Sequence, residues 1–181
     1  MRGRRGGAAL MAGPDATAAV RAILWPAASR AETTYAVLGG ARDKRIEQLL
    51  GLWGLEHASL YGDDTGSALR NASPFLVALD REREETELLL DRAWGRAWGV
   101  FAVVPTGTGF AAMQRHCRRL LRVLGPNNAV MLFRYYDPRV LRVFLPTSEG
   151  AQRTELFGPV DRWVLEDAAA APLVARLAVP A

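Results

Sequence analysis

Strand-like runs alternate with helical stripes along most of this chain, and that alternation limits the folds open to it. "TTYAVL" (Thr33 to Leu38) is β-branched and aromatic, "PFLVAL" (Pro74 to Leu79) follows the same logic, and "AWGVFAVV" (Ala97 to Val104) reads as a buried strand. Between them lie amphipathic stretches with helix boundaries. Asp15 to Trp25 ends at Pro26. Asp43 precedes Ile46, Leu49, Leu50 and Trp53 on one face, closed by Gly54. The charged run Asp80 to Glu87 places acids at the positive end of a helix carrying Leu88, Leu89, Leu90 and Trp94.

Further along, Phe110, Met113, Cys117, Leu120, Leu121 and Leu124 form a helical stripe, with Arg115, Arg118, Arg119 and Arg122 on other faces. Gly125, Pro126 and Asn127 then break the chain before an apolar strand, read as buried, starting at Val130. His57 to Tyr61 and "DRWVLED" are shorter strand candidates, and Ser148 to Phe157 a last helix. The expected fold is α/β: a single domain over residues 14–167, with helices packed on a mixed β-sheet of about five or six strands. Residues 1–13 read as a disordered basic tail, and residues 168–181 as an alanine-rich C-terminal tail.

The formal charge of +4 comes largely from Arg2, Arg4 and Arg5; without them the balance is 20 basic to 19 acidic residues. A nearly neutral body gives no reason to expect a nucleic-acid surface. The arginine-bearing helix from Arg115 to Arg122 has no interleaved aromatics on which bases would stack. One cysteine, Cys117, permits neither an internal disulfide nor a cysteine zinc cluster, in keeping with a reducing cytoplasm. Ala8 to Ala12 is too short for the apolar core of a signal peptide, and no run approaches the ~20 apolar residues of a membrane span. A soluble cytoplasmic protein is expected.

The strongest catalytic signal is "VVPTGTGFAA". Gly107, Gly109 and Ala112 spell G-x-G-x-x-A between a strand and a helix, where glycines would admit a pyrophosphate to the helix N-terminus. Asp137, the acid available for a ribose, stands further on than the usual ~20 residues. A glycine-rich turn capped by Thr106 or Thr108 explains the same residues. A nucleotide-dependent enzyme using Gly107 and Gly109 is therefore the alternative function. "RDKR" is not a phosphate-binding loop, no serine sits in G-x-S-x-G, and His57 and His116 belong to no metal motif. Asp63 and Asp64 are solvated loop acids in the simplest view, and the Asn71 sequon has no bearing in a cytosolic chain. No catalytic, cofactor or metal residues are assigned.

"VMLFRYYDPRVLRVFLP" (Val130 to Pro146) is the most unusual stretch. Asp137 followed by Pro138 marks a helix start, since the carboxylate accepts a backbone N–H and proline suits the first turn. Arg134 lies in phase with Val130, Leu132 and Tyr136 on the expected strand. A partly buried arginine there needs a carboxylate, and Asp137 is the nearest candidate. Arg134, Tyr136, Asp137 and Arg139 thus form either a structural clamp or a partner-binding corner.

This stretch resembles the signature of the adaptor chaperones of bacterial type VI secretion, a group long catalogued as a domain of unknown function. The resemblance runs in order through "TYAVLGGAR", "SLYGDD…SPFLVAL", "GRAWGVFAV", the arginine-bearing helix and "ELFGPVDRW", covering residues 33–167. Gly39 departs from the pattern, which has an acidic residue after the first strand. The resemblance implies a non-enzymatic protein without cofactors. Its partners would be a cognate effector and the VgrG spike, with no nucleic acid or membrane partner. The matched positions are Arg134, Asp137, Pro138 and Arg139. Trp53, Tyr61 and Trp163 are aromatic candidates for its docking surfaces.

Overall fold

A computed structural model describes residues 14–27, 31–62 and 72–177. Within them, six strands form one sheet in the order β2-β3-β1-β4-β7-β8, and two more form a separate pair, β5-β6. The strands are β1 (Glu32–Gly39), β2 (His57–Ser59), β3 (Pro74–Leu79), β4 (Gly99–Pro105), β5 (Arg122–Leu124), β6 (Val130–Leu132), β7 (Arg162–Glu166) and β8 (Pro172–Arg176). The helices are α1 (Pro14–Leu24), α2 (Ile46–Leu52), α3 (Glu84–Ala93), α4 (Phe110–Leu120), α5 (Pro138–Phe144) and α6 (Gly150–Phe157).

The α/β class and the six-stranded sheet agree with the sequence reading, but every described ladder is antiparallel. The appearance of mixed directions has a specific source. β3 and β4 are joined through α3 and run the same way, as in a βαβ unit, yet β1 lies between them and pairs antiparallel with both. Helices still cover both faces, so the central strands are apolar on both sides despite being antiparallel.

One face of β1 presents Tyr35 and Val37 to a core completed by Met113, Cys117 and Leu120 of α4, Leu141 of α5, Leu156 and Phe157 of α6, and Trp163. The other presents Ala36 and Leu38 to Val20 and Leu24 of α1, Ile46 and Leu50 of α2, Leu89 and Leu90 of α3, and Trp94 and Trp98. A fully buried side chain of this size contributes roughly 1.5–3 kcal/mol. These two layers therefore outweigh any exposed ion pair. Gly99 lets β4 approach β1: a Cβ there would lie 2.1 Å from the Val37 carbonyl oxygen.

Three expectations change. Residues 168–181, read as a tail, contain β8, whose backbone completes the ladder to β7; alanine content concealed a strand defined by its pairing. Leu124 leaves the helical stripe, because α4 ends at Leu120 and the chain turns back after Gly125. The strand from Val130 is not buried: β6 stops at Leu132, its residues are exposed, and it pairs with β5 alone. Residues 1–13, Asp63, Asp64 and Asn71 lie outside the described residues.

Candidate partner-docking surface

Asp137 caps α5 through a side-chain oxygen that accepts the Arg139 N–H at 3.0 Å, with Pro138 in the first turn. The Arg139 guanidinium donates to both carboxylate oxygens, at 2.8 and 2.6 Å. Arg134 reaches Asp137 only at 3.4 Å and lies over the Tyr136 ring, 6.0 Å from its centroid. The bidentate clamp expected of Arg134 thus belongs to Arg139. Arg134 follows the end of β6 and its side chain is 46% exposed, whereas that of Asp137 is 3% exposed. Burial raises the Asp137 carboxyl, but the Arg139 hydrogen bonds and charge outweigh it, leaving a net lowering.

Tyr136 is buried, its ring 3.1 Å from where a Gly39 Cβ would stand and its hydroxyl 3.5 Å from that of Tyr61. Burial pushes its phenol well above the usual range. Tyr135, fully buried, donates to the Cys117 carbonyl at 3.1 Å. Cys117 is buried and free, its thiol pushed up to about 12 by desolvation. The Arg134–Arg139 run therefore combines a buried clamp with two guanidinium groups at the surface. Glu166, not singled out in the sequence, is held near this corner by the Gly95 N–H. Burial raises its carboxyl, opposed by backbone hydrogen bonds and by Arg42 and Arg142. Nothing local signals this role, because the glycine it caps is distant in the chain.

The Gly107–Gly109 turn has a different character from a dinucleotide loop. It follows β4, whose neighbours β1 and β7 are both antiparallel to it, so the parallel βαβ unit of that motif is not formed by β4 and its neighbours. Tyr35 donates its hydroxyl to the Thr108 carbonyl at 2.9 Å. A Cβ on Gly109 would meet no protein atom within 4 Å, so packing within the described residues does not itself require glycine there. Gly107, at φ +105°, is required by its turn. Neither Thr106 nor Thr108 caps α4 through its side chain.

Among the described residues, exposed large apolar side chains cluster on the β5-β6 hairpin. Leu124 is 71% exposed, Val130 69%, Leu132 54% and Met131 48%. Its turn places Asn127 and Asn128 in the left-handed region, which asparagine tolerates, and the Gly125 N–H donates to the Ala129 carbonyl at 2.8 Å. At the base, the Phe133 N–H donates to the Leu121 carbonyl, and the Phe133 ring packs at a tilt against Phe144 of α5, centroids 4.7 Å apart. Beside the hairpin is a groove of about 800 Å³ lined by Leu60, Tyr61, Leu121, Leu132 and three arginines, Arg118, Arg119 and Arg122. The sequence shows these residues but not their assembly. Of the aromatic candidates, Tyr61 lines this groove, Trp53 is half-buried beneath the Arg92 guanidinium, and Trp163 is fully buried in the core.

Among the described residues no group of three or more His, Cys, Asp or Glu could hold a metal ion. No described helix is long and apolar enough to cross a membrane. No curated protein and no solved structure matches the chain. Residues 34–155 match the family described as Domain of unknown function (DUF4123), associated in general with adaptors of type VI secretion. That match spans β1 through most of α6, and includes the clamp, the groove and the hairpin, so the chain belongs to this family.

Proposed function

We propose that this protein is a non-enzymatic adaptor chaperone that binds a type VI secretion effector in the cytoplasm and loads it onto the VgrG spike. Family membership supports the secretion context. The observation that carries the adaptor role is the β5-β6 hairpin, with five large apolar side chains exposed on a short two-stranded ribbon beside a groove. Exposed apolar surface of this extent marks protein contact sites.

The test is reconstitution. A VgrG spike protein and candidate effectors from the same genome are co-expressed with this protein, and the complex is purified under native conditions. A stable ternary complex, and effector absent from the spike when the adaptor is omitted, is the expected result. Recovery of neither protein with the adaptor would sink the reading.

A further inference from the structure

We infer that the groove between α4 and the β5-β6 hairpin is the docking site for an acidic amphipathic segment of a partner protein. Apolar side chains of that segment lie on Leu121 and Leu132, and its carboxylates pair with Arg118, Arg119 and Arg122. This rests on the adaptor reading and adds where one partner binds and by what chemistry.

The apolar half of the argument comes from hairpin register. Arg122 stands opposite Leu132 and Leu124 opposite Val130, so these four side chains share one face of the ribbon. Two of them, Arg122 and Leu132, also line the groove. The groove floor of Leu60, Tyr61 and Leu121 therefore continues outward along Leu132, Val130 and Leu124. A volume of about 800 Å³ alone would suit a small molecule. A floor that extends onto a projecting ribbon suits a longer occupant, such as a polypeptide segment. The hairpin is fixed without using this face, through its asparagine turn, the Phe133–Leu121 hydrogen bond and the Phe133–Phe144 contact.

Charge selects the occupant. Arg118 donates to the Ser59 carbonyl at 3.0 Å and Arg119 contacts His116 at 3.2 Å, both uncharged acceptors. Among the described residues no carboxylate forms an ion pair with Arg118, Arg119 or Arg122. Arg134 and Arg139, by contrast, already share Asp137. Among the described residues the groove thus offers three positive charges on an apolar floor, which an acidic occupant would pair. A second copy docking through the same face would bring arginines against arginines. A nucleic acid would leave Leu124, Val130 and Leu132 without apolar partners.

The test uses the full chain, with a VgrG spike protein and the effector recovered in the reconstitution purified separately. Calorimetry at low and high salt compares wild type with Arg118→Glu/Arg122→Glu, Leu124→Ser/Leu132→Ser and the remote control Arg81→Glu. Thermal melts establish that each variant is folded, and single Arg122→Glu replaces the charge pair if that variant is not. The expected result is at least tenfold weaker binding to one of the two partners in both groove variants, with the control unchanged. Wild-type binding to that partner should weaken with salt, and the charge variant should lose most of this dependence. Undiminished binding by the folded groove variants would overturn the site while leaving the adaptor role intact. Wild type binding neither protein would remove both. A wild-type dimer that Leu124→Ser/Leu132→Ser converts to monomer would assign the face to a second copy and overturn the inference.

Discussion

Asp137 and Arg139 make the same three contacts as Asp43 and Arg45, in a different environment. In each pair one carboxylate oxygen accepts both the backbone N–H and Nε of the arginine two residues on, while the other accepts a terminal guanidinium nitrogen. The Asp43 side chain is 17% exposed and that of Asp137 only 3%. Water can replace Arg45, but loss of Arg139 leaves a carboxylate at the edge of the core.

Arg139→Met should therefore destabilise the protein by roughly 1–3 kcal/mol, below the fully buried limit because Arg139 is half exposed. Arg45→Met should be close to neutral. Urea denaturation of both variants measures the contrast, and equal midpoints would contradict it. Asp137 has a lowered carboxyl pKa in the fold, so its contribution is present above the ordinary carboxylate range. It is lost as pH falls through the lower folded value. Asp137→Asn should flatten stability in that acid window.

His116 provides a second pH dependence at higher pH. Its ring is buried and close to Arg119, and desolvation lowers its pKa to about 4. A histidine with a depressed folded pKa is protonated first in the unfolded chain. Stability is therefore full above about 6.5 and declines as pH falls toward 4, by up to roughly 3 kcal/mol. His116→Gln should remove that slope between pH 6.5 and 4 in denaturation series, whatever its effect at neutral pH.

Three glycines should respond to alanine in a graded way. Gly99→Ala places a carbon 2.1 Å from the Val37 carbonyl oxygen in the central ladder, so backbone must move and stability should fall by several kcal/mol. At Gly39 the neighbour is the Tyr136 ring at 3.1 Å, which yields with a cost of roughly 1–3 kcal/mol. Gly109→Ala meets open space and should be tolerated. Thermal melts of the three variants give the ranking; a Gly109 variant as damaged as the Gly99 variant would refute it.

Arg162 joins the sheet to α1. It is 3% exposed, pairs with both carboxylate oxygens of Glu32, and donates to the Ile23 and Leu24 carbonyls at 3.3 and 3.4 Å. Arg162→Met retains bulk but strands the carboxylate and two helix-end carbonyls, with an expected loss of about 3–5 kcal/mol. Hydrogen exchange should show α1 opening first. Uniform loss of protection across both core layers would argue against a local linkage.

The helix start at Asp137–Pro138 was legible because capping chemistry is local: carboxylate, proline and the N–H they serve lie within three residues. The partner of Arg134 was also local, but competition was not visible. Arg139 sits on the first helical turn and takes the better geometry, leaving Arg134 over Tyr136. The apolar run Val130–Leu132 was read as buried because hydrophobicity reports preference for burial, not the presence of a neighbour. Glu166 and Arg162 had no local signal, since their partners are far away in sequence.

Sequence by itself determined the alternating elements, most of their boundaries, the apolar character of both sheet faces and the family signature. Those properties depend on periodicity and on contacts between residues close in the chain. Tertiary structure alone decided that β1 inserts between β3 and β4, that the alanine-rich end supplies a strand, and that β5 and β6 pair away from the main sheet. Strand partnership is a long-range choice governed by backbone hydrogen bonds, which all residue types except proline can donate. It also assembled three arginines with an apolar floor, because helix phase and hairpin register jointly set where those side chains meet.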